Sequence, residues 1–252
     1  MNSKTIKGTS AEEIKSAYFE YISDDFEPTL ALLFLSVEQD IEGINIFFTE
    51  QQIDVFGSST LGEINEDEIM YGSISVLLLE INPAFFKIYF EEYELATAHL
   101  ATKRIAERAI SDFSDPSFLI ASSQFEINYV QFLKGITDVA GNETLVYGAI
   151  AGDKLTFVNG VVFNINKRSA FGLIALVFDN NKIEMNGTTI CGWNSLGMVK
   201  TFTESKRSRI FKVDDKTITR TKKTKEFFKC NEFCELNLKN KSNALSVYEV
   251  IE

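Results

Sequence analysis

One histidine, one tryptophan, three cysteines and three prolines are all that 252 residues provide of these types. Each scarcity excludes something. A lone histidine, His99, cannot build a zinc site of the histidine type. A Ser/His/Asp triad would have to pass through His99, which has no nucleophile motif beside it. Cys191, Cys230 and Cys234 are an odd, sparse set and make no disulfide framework. Cys230 and Cys234 (CNEFC) stand four apart, a spacing that suits one helix face, but two thiolates without further ligands do not make a metal site. No cofactor, metal or catalytic set is expected. Few prolines argue against long extended linkers. The longest apolar runs, such as Leu30–Leu35 and Val76–Leu79, are far too short to span a bilayer. The opening MNSKTIKGTS has no apolar core of a signal peptide. The expectation is a cytoplasmic protein in a reducing environment, with no membrane partner.

Positive charge is also in short supply. Lys and Arg number 25 against 36 Asp and Glu, a net charge of −11. Such a chain is repelled by phosphate backbones and anionic membranes, so no nucleic-acid partner is expected. The balance reverses from Lys200 onward, where 13 basic residues face 8 acidic ones. The basic stretch Lys206–Lys229 interleaves Phe211, Phe227 and Phe228 but is interrupted by Asp214, Asp215 and Glu226. It reads as a solvated excursion or a protein contact. The acidic run Glu63, Glu66, Asp67, Glu68 lacks the alternating spacing of a calcium loop and reads as a solvated turn.

What the chain has in quantity is apolar mass: 45% hydrophobic residues, including 22 Phe. That is enough for a sizeable core. Ser10-Ala11-Glu12-Glu13 is a capping box opening a helix over about 11–23. Strands are predicted at 29–37, 53–58, 72–81, 85–93, 117–123, 145–150 and 171–178, and helices at 39–51, 95–113 and 128–139, the last closed by Gly141. Asn159-Gly160 and Asn186-Gly187 are hairpin signals, with predicted arms 155–158 and 161–165, then 182–185 and 188–191. The fold class is α+β (mixed α/β): two pseudo-repeated β-α-β-β halves, about 25–90 and 115–180, with mixed sheets packed against flanking helices. Residues 1–200 form one domain and 201–252 a basic segment.

The repeat rests on two loops. GSSTLGEI at 57–64 and GAIAGD at 148–153 each follow an apolar strand. Gly57 answers Gly148, Gly62 answers Gly152, and Glu63 answers Asp153. Glycine permits positive φ and close backbone approach. The amides and hydroxyls of Ser58, Ser59 and Thr60 suit a carboxylate, and Glu63 and Asp153 an ammonium, so that paired loops across a cleft suit a zwitterion. The plainer alternative stays open: Gly57 and Gly62 shape a turn, Thr60 caps it, and Glu63 bonds local amides. Neither a P-loop nor a dinucleotide fingerprint is present. Trp193, between two glycines in CGWNSLG, reads equally as a pocket wall or a core plug.

These motifs, in this order, resemble the FIST domain (F-box and intracellular signal transduction). Gly57, Ser58, Ser59, Thr60, Gly62, Glu63 and Ile64 match its Gly-Cys/Ser-Ser/Thr-Thr-x-Gly-Glu-Ile element. Gly148, Ala151, Gly152 and Asp153 match its Gly-Gly-x-Ala-Gly-Asp element, with Ala149 departing from the second glycine. The resemblance covers roughly residues 10–215. NALSVYEVIE at 243–252 resembles the opening of the family's C-terminal part, usually an Ala-Leu-x-x-Tyr helix, which implies the N-terminal portion of a longer protein. The resemblance implies a bacterial-type sensory module that binds a small polar ligand, such as an amino acid, and acts through a signalling partner or output domain. The expected ligand set is Gly57, Ser58, Ser59, Thr60, Gly62, Glu63, Gly148, Gly152, Asp153 and Trp193. The rivals are a protein-interaction module without a small ligand, and a hydrolase using Ser59 or Cys191.

Overall fold

The computed structural model describes residues 1–22, 25–65, 68–124, 127–153, 160–188, 201–206, 209–219, 230–236 and 245–250. The chain divides into two compact units, Met1–Gly187 and Thr188–Glu252. Trp193 and Cys191 lie outside the described residues, as does the first arm of the predicted Asn159-Gly160 hairpin.

The first unit is built from apolar strands that alternate between two cores. Its elements are β1 (Asn2–Gly8), α1 (Ala11–Tyr21), β2 (Leu30–Leu35), α2 (Ile41–Glu50), β3 (Asp54–Ser59), β4 (Glu63–Asn65), β5 (Glu68–Met70), β6 (Ile74–Glu80), β7 (Phe86–Glu92), α3 (Ala98–Asp112), β8 (Pro116–Ser122), α4 (Tyr129–Ala140), β9 (Val146–Ile150), β10 (Val162–Phe163), β11 (Arg168–Ser169) and β12 (Gly172–Asp179). A six-stranded sheet runs β1-β6-β2-β3-β10-β11 and a four-stranded sheet β7-β12-β8-β9. In each, the two strands flanking a helix are parallel: β2 with β3, and β8 with β9. The remaining pairs, β1–β6–β2 and β7–β12–β8, are antiparallel. The order and directions of β1-β6-β2-β3 and β7-β12-β8-β9 therefore coincide. The predicted first half, about 25–90, overruns its sheet, because β7 from Phe86 onward belongs to the four-stranded sheet. β1 (NSKTIKG) escapes sequence reading because it is an edge strand with mostly polar, exposed positions.

Strand residues of odd and even position serve different layers. Ala31, Leu33 and Leu35 of β2 pack under α1 and α2 with Ile14, Tyr18, Ile44 and Phe48. Leu30, Leu32 and Phe34 face the other sheet, against Phe86, Phe90, Ile174 and Leu176. Leu173, Ala175 and Val177 of β12 pack under α3 and α4. The unit is thus layered helix, sheet, sheet, helix. Sheets covered on both faces need continuous apolar runs, which is why β2 and β12 read as LALLFL and GLIALVF.

Helices α1, α2 and α4 open on capping side chains. Ser10 Oγ accepts the Glu13 amide at 3.2 Å, while the Glu13 carboxylate reaches back to the Thr9 amide at 2.7 Å. That bond holds the Glu13 carboxyl below the usual range. Asp40 and Asn128 cap α2 and α4 through Gly43 and Gln131. Gly141 ends α4 at φ 101°. α3 and α4 meet on small residues: Thr102 donates to the Phe132 carbonyl at 2.7 Å, beside Gly135.

Three expectations are corrected. Lys182–Met185 is turn and irregular chain, not the arm of a hairpin; it is tied instead to the Asp179 turn by the Lys182 and Ile183 amides. Of the predicted strand 161–165, residues 162–163 pair, because Asn164 closes a turn onto Lys167 at once. In the second unit, β13 (Phe202–Lys206), β14 (Arg209–Val213), β15 (Lys216–Thr219), β16 (Cys230–Leu236) and β17 (Leu245–Val250) form an antiparallel sheet ordered β13-β14-β15-β17-β16. The CNEFC and LSVYEV segments are thus paired strands rather than helices, their backbone bonds made to each other. Asp214 and Asp215, which seemed only to interrupt a basic run, are the β14–β15 turn at φ 50° and 64°. Asp214 Oδ1 accepts the Thr201 amide there at 2.9 Å.

Gly135→Ala sets helix propensity against packing. Alanine favours the helix by about 1 kcal/mol. Its Cβ would lie 2.2 Å from Thr102 Oγ1 and 2.5 Å from the His99 carbonyl oxygen. Overpacking wins, and the variant should lose about 1–3 kcal/mol in urea denaturation.

Candidate functional site

The two glycine loops meet, and Ser59 is the point of contact. Its amide donates to the Val161 carbonyl at 2.9 Å and its carbonyl accepts the Gly152 amide at 2.8 Å. Its hydroxyl donates to the Gly152 carbonyl at 2.7 Å and accepts the Val161 amide at 2.9 Å. The close approach needs glycine: a Cβ on Gly152 would stand 2.8 Å from the Leu61 amide nitrogen. A Cβ on Gly57 would strike the Phe163 ring. Neither residue adopts positive φ, so it is space rather than backbone freedom that these glycines supply.

The other members of the predicted set divide. Glu63 is fully buried. Its carboxylate accepts the Thr60 hydroxyl at 2.7 Å, the Ser73 amide at 3.0 Å and the Ser73 hydroxyl at 2.8 Å. Thr60 also donates its amide to Leu35 at 2.8 Å. Gly62 lies against Tyr71. Ser58 is buried and its hydroxyl donates to the Ser59 carbonyl at 3.2 Å. Asp153 is buried and engaged in interactions of its own. Ser59, Thr60 and Gly152 are in direct backbone contact, with Glu63 held by Thr60. Gly148 is placed elsewhere, mid-strand on β9 opposite Ile120.

Beside Gly148 lies a cavity of about 370 Å³ between β9 and α4. Ile120, Phe132 and Ile150 supply apolar wall, Ser122 and Tyr129 supply hydroxyls, and Leu133 stands on the rim. Gly148 and Ala149 are exposed there, so the strand backbone is open to an occupant. Tyr93 shares a hydrogen bond with Ser122 across 2.5 Å, and Tyr129 donates to the Gln124 carbonyl. Burial pushes both phenols up, and the nearby Tyr93 phenol adds to the effect on Tyr129. Both are neutral hydrogen-bonding groups at physiological pH, not bases. An apolar pocket with a few convergent polar groups is the usual form of a small-ligand site.

Sequence reasoning missed Ser122, Tyr93 and Tyr129. The available signal was that Ser122-Ser123 closes an apolar strand as Ser58-Ser59 does. His99 is exposed on α3. Among the described residues, no group of three or more His, Cys, Asp or Glu is arranged to hold a metal, and no helix is long and apolar enough to cross a membrane.

Fold and site together define an α+β domain whose parallel strand pairs end at a shared serine-glycine junction. The sequence model of the FIST N domain matches residues 29–216, about three quarters of the chain. The chain belongs to the FIST family, whose domain is associated with signal transduction. No curated protein matches it.

Ser59→Ala strands the buried Val161 amide and the half-buried Gly152 carbonyl. It should cost about 1–3 kcal/mol in equilibrium denaturation. The buried phenols give a pH dependence of known sign. The folded state holds their protons more tightly, so the stability they contribute is full below the unfolded phenol value of about 10 and falls as pH rises past it. Denaturation measured from pH 8 to 11 should show that fall, and Tyr129→Phe should flatten it.

Proposed function

We propose that the chain is a cytoplasmic sensory module of signal transduction that takes a small polar ligand in the β9–α4 cavity. The cavity beside Gly148 is the observation that carries this reading. An amino acid with an apolar side chain suits its chemistry. The polar head meets the β9 backbone at Gly148–Ala149 and the Ser122 and Tyr129 hydroxyls, which retain spare bonding capacity. The apolar portion lies on Phe132 and Leu133.

The junction supplies a route from pocket to fold. The chain leaves β9 through Ala151, whose amide bonds the Ser122 carbonyl, and Gly152, whose amide bonds Ser59. A ligand that shifts β9 pulls on Ser59 and so on the first sheet. In this reading Ser59, Thr60, Gly62, Glu63, Gly152 and Asp153 hold the corner that transmits the shift, while Gly148 touches the ligand. A signalling partner or output domain reads the result. The hydrolase alternative finds no support at Ser59, whose buried hydroxyl is already committed as both donor and acceptor.

A thermal-shift screen of amino acids and small organic acids tests the proposal. A true ligand at a hundred times its Kd contributes about 2.7 kcal/mol, or about 5–10 °C for a domain of this size. Leu133→Arg, on the exposed rim, should leave the ligand-free midpoint nearly unchanged and remove the shift. An empty screen, or a shift that survives Leu133→Arg, counts against the site.

A further inference from the structure

Gly57 and Gly148 hold the same place in the two sheets. Each lies on the strand that follows a helix and pairs in parallel with the strand before that helix, Gly57 opposite Leu33 and Gly148 opposite Ile120. Their outer edges differ. Beside β3, β10 runs antiparallel with Phe163 opposite Gly57. Alternate pairs of such a ladder exchange both backbone bonds. The Ser59 amide donates to the Val161 carbonyl, which makes Gly57–Phe163, two residues on, another bonded pair. The Phe163 ring fills the space over Gly57 and joins the core under α1 and α2.

Beside β9 the same seat is open. The Leu145 carbonyl and the Ala151 amide bond β8. Alternate residues of a strand bond the same neighbour, so Tyr147 and Ala149 also face β8 and Gly148 turns its amide and carbonyl outward. Gly148 is exposed, and among the described residues no strand lies beyond β9. The cavity lies between this strand and α4, on the helix side, as the Phe163 ring lies on the helix side of β3. Tyr129, Phe132 and Tyr147 give it aromatic walls, and none of the residues that line it is charged.

Resting on the small-ligand reading above, we infer that the occupant is an aromatic α-amino acid, held at Gly148 as Phe163 is held at Gly57. Its ring enters the cavity. Its ammonium donates to the Gly148 carbonyl and its carboxylate accepts the Gly148 amide, the two bonds that the backbone of Phe163 makes with Gly57. Both charged groups stay at the exposed strand edge, in water, while the neutral walls take the ring. Tyr129 and Phe132, already edge to face at 6.1 Å, offer a third ring the arrangement aromatic groups prefer. A charged side chain would find no partner on those walls. A smaller aliphatic one would leave part of the 370 Å³ empty and forfeit contacts.

The test titrates the full chain by calorimetry with L-phenylalanine, L-leucine, hydrocinnamate, which lacks the ammonium, and phenethylamine, which lacks the carboxylate. L-Phenylalanine should bind. The other compounds should bind at least about tenfold more weakly, a difference of about 1.4 kcal/mol. Gly148→Ala should remove binding, but its Cβ would stand 2.2 Å from the Ile120 carbonyl oxygen and threatens the fold. Leu133→Arg, on the rim, is the second variant and should remove binding from a folded chain. L-Leucine or another aliphatic amino acid binding as tightly as L-phenylalanine overturns the inference and leaves the small-ligand reading standing. So does undiminished binding of hydrocinnamate or phenethylamine. Phenylalanine binding that survives Leu133→Arg overturns the inference by placing the amino acid elsewhere. A chain that binds no amino acid at all overturns both readings.

Discussion

Two sheets pressed face to face set the terms for the first unit. Leu30, Phe56, Phe86, Phe90, Ile174, Leu176 and Phe178 make one shared core, and each sheet carries a separate core under its own helices. Burying both faces of a strand leaves it no polar side, so its sequence is apolar throughout and its polar work moves to its ends. That is where Ser58-Ser59 and Ser122-Ser123 stand. The chain reverses there, and its backbone groups need partners out of water. Ser59 provides four bonds at once, tying the end of β3 to the loop after β9 and to Val161 before β10.

The same constraint explains why a pocket lies on one parallel pair. β3 has its outer edge paired by β10, through Ser58–Val162 and Gly57–Phe163, and the Phe163 ring fills the space over Gly57. Among the described residues β9 has no such strand beside it, and Gly148 and Ala149 are exposed. Two glycines that match in sequence therefore do different work. Gly57 yields to an aromatic ring within the fold, and Gly148 borders a cavity.

Much of this was legible beforehand. Runs such as LALLFL, SFLIASS and GLIALVFD announced buried strands, and Ser10, Asn128 and Gly141 marked helix ends through local bonds alone. Glu63 shows the limit. Its place after Gly62 allowed a charge offered to a ligand, although local bonding was the reading the string favoured. Its bond to Thr60 is local, but those to the amide and hydroxyl of Ser73 come from a residue beyond the hairpin. The misread segments fail for a related reason. CNEFC and LSVYEV pair with each other across intervening chain, and no local pattern reports a partner at that distance.

The sequence by itself determined which segments are apolar, where α1 is capped, and that a glycine-glycine-acid spacing follows two strands. These depend on neighbours within a few residues, where composition and spacing suffice. Tertiary structure alone decided that the corners touch through Ser59, that Glu63 points inward while Ile64 points out, and that the cavity borders Gly148 rather than Gly57. Each of those outcomes turns on which strand lies beside which. That is settled by the joint burial of two sheets, a condition on the whole unit that no single stretch of residues contains.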